Sequence, residues 1–202
     1  MIIGPKYKIA RRLGAGIFEK TQTQKFALRQ ARKTNTGGRR GGPKSDFGIQ
    51  LLEKQKARLS YALTERQFSK YVNNAIVKKG DNREMLYVML ESRLDNAVLK
   101  SGFAMTRMAA RQMVSHGHIY VNDKRVTVPS YNLKIGDGIS IRPASANKMI
   151  FSDYSERMAK FQSPSWIAVD VSKKTAKIQG QPKLVPEELL FDISQVLEFY
   201  KR

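Results

Sequence analysis

"TRMAARQMVSHGHIYVN", residues Thr106 to Asn122, changes its period half-way along. Thr106 stands where a helix N-cap belongs, and Gly117 stands where a helix stops. Between them Met108, Ala109, Met113 and Val114 supply apolar positions. Arg107 and Arg111 share the other side at i, i+4, with Ser115 a further turn along. After Gly117 the spacing falls to two, with Ile119 and Val121 alternating with Tyr120 and Asn122. The stretch therefore predicts a capped helix that turns a corner into a strand. Both of the chain's histidines, His116 and His118, lie at that corner. The question is whether the corner is a metal or acid–base site, or a surface that holds something negatively charged.

Metal chemistry fits poorly. Two imidazoles two residues apart across a helix stop do not converge, and no nearby Cys, Asp or Glu pair completes a tetrahedron. Cysteine is absent from the chain, which removes disulfides, thiolate catalysis and cysteine-bound zinc. No serine sits in a G-x-S-x-G setting, and the glycines of Gly37–Gly42 lack P-loop spacing. No catalytic residue, metal site or cofactor is expected. The histidines read instead as polar contacts at a helix end.

Downstream, the alternation continues. Asn122-Asp123-Lys124 is a turn candidate without the usual hairpin glycine, Arg125–Val128 a second strand, and "GISIR" (Gly138–Arg142) a third. "ASANKMIFSDYSERMAKFQS" (Ala144–Ser163) reads as a helix, "SWIAVDV" and "TAKIQGQP" as two short strands. The acidic "PEELLFDISQVLEFYKR" (Pro186–Arg202) reads as an element that covers the core or meets another protein.

Upstream, the signals are helical. Ser45 or Asp46 can cap a helix carrying Lys54 and Arg58 on one face. Thr64 and Gln67 match a capping box, followed by the stripe Phe68, Tyr71, Val72, Ala75 and Ile76. Lys78 and Lys79 suit the end of that helix, with Gly80 as its stop. Asp81–Gly102 reads as one further helix, its stripe Leu86, Leu90, Leu94, Ala97 and Val98. Before Ser45 the chain has twelve bases and one acid, Glu19, and "NTGGRRGGPKS" (Asn35–Ser45) cannot be a regular element. Such a segment is expected to be an extended or partly disordered basic arm that orders on a phosphate backbone.

Charge decides the partner. The 202 residues carry 37 Lys+Arg against 17 Asp+Glu, a formal +20 at pH 7, which no fold requires. A polyanion is the simplest counterpart. No apolar run is long enough to span a membrane, and the bases are spread over several segments rather than along one amphipathic face. The helix–strand corner, with Arg107 and Arg111 on one side and Asn122, Lys124 and Arg125 beyond, makes a concave basic surface suited to structured RNA. Tyr120 is its one obvious stacking group, so a single-strand platform is not expected there.

"LESRLDNAVLKSGFAMTRMAARQMVSHGHIYVNDKRVTVPSYNLKIGDGISIR" (Leu90–Arg142) resembles the RNA-binding module named after the S-four family of small-subunit ribosomal proteins. The R-L-D helix, T-R-x-x-A-R-Q, V-S-H-G-H-I and P-S-Y carry the likeness. "GPKYKIARR", "SDFGIQLLEKQKARLSYALTERQF" and "PSWIAVDV" extend it over almost the whole chain, toward the bacterial and organellar members. The R-L-D stretch is also similar to the signature of pseudouridine synthases, whose aspartate is catalytic. Here the chain after it is too short for their catalytic domain, and Asp95 is expected on a helix surface, paired with Arg93 or Arg111.

The resemblance implies a primary binder of 16S-type small-subunit rRNA that nucleates subunit assembly. It also implies a place beside neighbouring small-subunit proteins, near the channel through which messenger RNA enters, and a contribution to translational accuracy. The setting implied is cytoplasmic and ribosome-bound, or the stroma or matrix of an organelle, with no membrane partner. A free RNA chaperone or an RNA-modifying enzyme carrying the same module remains the alternative. Zinc-bearing members have cysteines where Tyr7 and Ala10 stand here, and most have glycine where Asp123 stands, which implies a changed turn type.

The expectation is thus an α+β protein in three parts. Residues 1–45 form the basic arm, 46–92 with 156–202 a helical domain, and 93–155 an inserted helix-helix-strand module with a small, mainly antiparallel sheet. Candidate rRNA contacts are Lys6, Lys8, Arg11, Arg12, Arg39, Arg40 and Lys44 in the arm, and Lys54 and Arg58 in the helical domain. In the module they are Arg93, Arg107, Arg111, Gln112, Ser115, His116, His118, Asn122, Lys124 and Arg125.

Overall fold

The computed structural model describes residues 3–34, 45–146, 148–151, 154–158 and 161–201. The chain divides into two compact units. The first combines the residues up to Arg83 with those from Val185 onward, and the second, Glu84–Leu184, is inserted between them.

The first unit is helical: α1 (Lys6–Leu13), α2 (Gln24–Thr34), α3 (Asp46–Ser60), α4 (Glu65–Val77) and the late helix, numbered α9 in chain order (Ile193–Lys201). The expectation of an extended arm is corrected here. Before Asn35 the chain is two helices joined by two 3₁₀ turns, and Ala10, Leu13, Ile17, Phe18 and Phe26 are buried with Leu52 and Leu59 of α3. Sparse apolar residues set three or four apart form a stripe that the surrounding bases obscure, and the stripe, not the mean charge, sets the local structure. The glycine-rich Asn35–Lys44 stretch lies outside the described residues.

α3 is capped by Ser45, whose Oγ accepts from Gly48 N at 3.3 Å. Thr64 and Gln67 form both halves of the expected capping box on α4. Phe68, Val72 and Ala75 are fully buried. That helix stops at Val77, one residue short of the two lysines expected in its last turn, since Lys78 is already extended. α9 closes the unit. Its Phe199 packs against Phe47 (5.6 Å between centroids) and its Tyr200 against Phe68 (6.2 Å). Gln50 donates to Glu198 at 3.2 Å. The acidic final element thus covers α3 and α4 with one face.

The second unit runs α5 (Asn82–Glu91), α6 (Leu94–Lys100), α7 (Arg107–Ser115), β1 (Ile119–Val121), β2 (Lys124–Arg125), β3 (Gly138–Ile141), α8 (Tyr154–Met158), β4 (Ile167–Asp170) and β5 (Thr175–Ile178). The strands form one antiparallel sheet in the order β2-β1-β3-β5-β4. Ile119 pairs with Ile141, Val121 with Ile139, and Ile139 with Ala176, so one face of the sheet is apolar. Leu94, Ala97, Val98, Phe103, Ala110 and Val114 of the helical layer pack against it.

Three expectations change. The sheet does not end near Ser155: β5 pairs with β3, so β4 and β5 belong to the inserted unit rather than to the helical one. Strand-length signals cannot say which sheet edge a later hairpin joins. Ala144–Ser163 is not one helix but two 3₁₀ turns and the short α8. Asp81–Gly102 is likewise broken, between α5 and α6, with Arg93 extended (φ −69°, ψ 139°). The break frees two backbone donors and one acceptor for long-range bonds: Leu94 N donates to Tyr131 O at 2.9 Å, Asp95 N donates to Pro129 O at 3.1 Å, and Ser92 O accepts from Leu133 N at 2.9 Å.

Candidate nucleic-acid interface

The start of α6 is the anchor of the inserted unit. Arg93, 1% exposed, donates from Nε to Asp95 Oδ1 at 3.0 Å and from Nη2 to Asp95 Oδ2 at 2.7 Å. This is the fork geometry that holds a guanidinium most firmly. Asp95 also accepts from Asn96 N at 3.0 Å and lies 3.5 Å from Arg111 Nη1. Asn96 donates to the Glu91 carboxylate at 2.8 Å and accepts from Arg107 Nη1. Two polar chains, Glu91–Asn96–Arg107 and Arg93–Asp95–Arg111, therefore run from α6 to α7.

These chains correct two expectations. Asp95 pairs with both arginines but is buried, not on a helix surface. Arg93, a candidate RNA contact, is enclosed and fully engaged, so it positions the unit and does not meet a ligand. Arg107 and Arg111 each use one edge of their guanidinium inward and remain partly exposed, which fixes their orientation on α7.

α7 begins as expected, with Thr106 Oγ1 accepting from Ala109 N at 3.1 Å. It ends at Gly117, whose φ of +71° glycine adopts without steric cost. Gln112, Ser115 and His116 are exposed there. His118 Nδ1 lies 2.9 Å from Ser145 Oγ, and its ring is 6.1 Å from that of His116. Backbone bonds draw in the segment after β3: Arg142 N donates to His118 O at 2.8 Å, Ser145 N to Arg142 O at 2.8 Å and Lys148 N to Ser145 O at 3.0 Å. Partial burial, then the charges of Lys148, His116, Arg142 and Arg125, hold His118 below the ordinary imidazole pKa. Arg142, Ser145 and Lys148 were not among the sequence candidates. Their only signal was a position at or just beyond the end of an alternating strand.

The β1–β2 turn keeps both central residues at positive φ, Asn122 at +48° and Asp123 at +62°, as a type I′ hairpin demands. The turn type is therefore not altered by the lack of glycine. Asn122 offsets the strain through its side chain, donating to Asp137 Oδ1 at 2.8 Å and accepting from Gly138 N at 2.8 Å. Each end of its amide thus makes a bond within the protein, while Asn122 itself stays exposed. Lys124 and Arg125 stand exposed on β2.

In the helical unit, Lys54 and Arg58 converge on Glu65 at 2.9 and 3.4 Å, and Lys54 Nζ lies 4.5 Å from the Phe199 ring centroid. Burial acts to raise the Glu65 pKa, but hydrogen bonds from Lys54 and Tyr200 and the two cations outweigh it and hold the carboxyl low. Lys54 is thereby an internal partner rather than a free cation. Lys8, Arg11 and Arg12 are exposed on α1, and Lys6 is partly covered, its Nζ 5.8 Å from the Phe18 ring centroid. Arg39, Arg40 and Lys44 lie outside the described residues. No cluster of three metal-ligating side chains occurs, and no helix is long and apolar enough to cross a membrane, among the described residues.

A helix–corner–strand surface carrying Arg107, Arg111, Arg125, Arg142 and Lys148 over a five-stranded sheet defines an RNA-binding protein of the S4-domain class. Residues 92–139 match the S4 domain family, and residues 1–91 match the family described as Ribosomal protein S4/S9 N-terminal domain. The chain is 40% identical to small ribosomal subunit protein uS4 of Roseiflexus castenholzii over 203 residues, covering 99% of this chain and 98% of that one. It is 42% identical to uS4 of Hahella chejuensis and 41% to uS4 of Chromobacterium violaceum, each over 206 residues with the same coverage. The chain belongs to the uS4 family of small ribosomal subunit proteins.

Proposed function

We propose that the chain is a non-catalytic structural constituent of the small ribosomal subunit that binds small-subunit rRNA directly and nucleates its assembly. The observation that carries this is the α7–β1 corner. It fixes Arg107 and Arg111 on α7 by polar chains from α6 and gathers Arg125, Arg142 and Lys148 around His118 at the turn. Excess charge held in one geometry suits the phosphate spacing of a folded RNA better than that of an arbitrary polyanion. The contacts on this reading are Lys8, Arg11, Arg12, Arg107, Arg111, Gln112, Ser115, His116, His118, Lys124 and Arg125. Arg39, Arg40 and Lys44 join them on composition alone.

The same reading extends to a position near the channel through which messenger RNA enters and to a part in decoding accuracy, which the resemblance to the family supports. The setting is the ribosome of a bacterial cytoplasm or an organelle. Asp95, buried between two guanidinium groups, is not available as a nucleophile, which disfavours the RNA-modifying alternative. Co-sedimentation at moderate salt tests the reading. The chain should travel with small subunits, and a chain found only in the free pool would leave the RNA-chaperone alternative.

A further inference from the structure

The helical unit contains a cleft of about 600 Å³ between α1 and α2, lined by Tyr7, Arg11, Lys25, Phe26, Arg29 and Arg32. Its size lies in the range of small-ligand sites. The two rings are stacked, with centroids 5.8 Å apart and planes 29° apart. Phe26 is buried and holds Tyr7 from below, whereas Tyr7 is 46% exposed. Lys20 Nζ, on a flexible exposed side chain, stands 5.8 Å from the Tyr7 ring centroid. The cations of the cleft come from both helices, and no carboxylate lines it among the described residues.

A cleft that needed only to neutralise phosphate would have no use for an exposed aromatic ring on an aromatic base. One that needed only to bury an apolar group would not be rimmed by four cations. The combination matches a nucleotide: a flat base to stack on Tyr7 and a phosphate to meet the rim. The one cation over the Tyr7 ring, Lys20, lies on an exposed side chain that a stacking base would displace toward its phosphate.

We infer that this cleft takes a single unpaired, stacked-out nucleotide of the bound RNA. The inference rests on the RNA-binding reading but names a second site, in the other unit and of different chemistry. At the α7–β1 corner, RNA is held by charge and shape. Here one base leaves its own stack for that of Tyr7.

The test uses the full chain with small-subunit rRNA and the variants Tyr7→Leu, Tyr7→Trp and Arg29→Gln. Tyr7→Leu should weaken binding about tenfold with the salt slope unchanged, because a stack carries no counterions. Tyr7→Trp should restore it, which a merely structural role for Tyr7 would not predict. Arg29→Gln should flatten the slope of log K against log salt by about one unit. Ultraviolet crosslinking should join a nucleotide to the peptide containing Tyr7 or Phe26. A Tyr7→Leu chain that binds like the unmodified one, or crosslinks absent from that peptide, would overturn the cleft alone. Competition by millimolar adenosine monophosphate would make it a free-nucleotide site instead. Failure of the unmodified chain to bind rRNA would overturn the functional reading as well.

Discussion

The guanidinium of Arg125 lies flat against the backbone of Gly117. A Cβ built at Gly117 would meet Arg125 Nε, Nη2 at 2.5 Å and Cζ at 2.7 Å. Glycine is required here for its φ of +71°, while a Cβ would press only on the far end of the exposed Arg125 side chain, which can move aside. Gly117→Ala should destabilise the inserted unit by about 1–2 kcal/mol through the left-handed backbone, and should also displace Arg125. Urea unfolding followed by the fluorescence of Trp166, the chain's single tryptophan and buried in that unit, reads the first effect. Coupling in a double-mutant cycle with Arg125→Ala reads the second.

The Arg93–Asp95 fork is enclosed within the inserted unit. Arg93→Ala should cost about 3–5 kcal/mol by leaving a buried carboxylate unpaired. Replacing both residues, as in Arg93→Met with Asp95→Leu, should recover much of that loss. At temperatures where the variants are folded, the salt dependence of RNA binding should be unchanged.

Arg107→Ala with Arg111→Ala should act in the opposite sense. Binding should weaken, and the slope of log K against log salt should flatten by about one to two units. An unchanged slope, measured by filter binding across a salt series, would show that the outward edges of these two side chains meet no phosphate.

His118 is held below the ordinary imidazole value by burial and by the cations around it. In the free protein, protonation is therefore disfavoured, and stability falls as the pH drops below about 6.5 toward the folded-state pKa. A phosphate bound at the corner would reverse the balance, so that binding should take up a proton and affinity should rise as the pH falls below about 6.5. Titration of the His118 ring by NMR, with and without RNA, should show the upward shift, and His118→Asn should remove the pH dependence.

The chain has no cysteine, and no metal cluster occurs among the described residues. A zinc-selective chelator, with magnesium held constant, should leave both RNA affinity and the helical signal of the first unit unchanged. Loss of either, measured by filter binding and circular dichroism, would reveal a metal-dependent fold.

What the sequence disclosed follows the range of the interaction. The capping box at Thr64, the N-cap at Thr106 and the stop at Gly117 are local devices, and each was legible from a few adjacent residues. The break at Arg93 was not, because it is caused by carbonyls of Pro129 and Tyr131 that no window around Arg93 contains. The same distance hid the pairing of β5 with β3. At the candidate site, charge singled out Arg107 and Arg111 but could not separate a partly exposed arginine from Arg93, whose partner is two residues away and turned inward. The bonds of Asn122 to Asp137 and Gly138 across the sheet were hidden for a related reason, since both partners lie some fifteen residues away. The Tyr7–Phe26 stack escaped notice because the basic composition around it suggested no fixed structure.

The insertion of the second unit also sets an order of synthesis. α3 packs against α9, and Glu65 of α4 accepts a 2.7 Å hydrogen bond from Tyr200, 135 residues later. Everything needed for the inserted sheet, through Ile178, lies between those two helices. A chain made from its N-terminus therefore completes the inner unit while the outer one still lacks its closing helix. The corner that carries Arg107 and Arg111 can form on a growing chain before α3 and α4 have found their last partner.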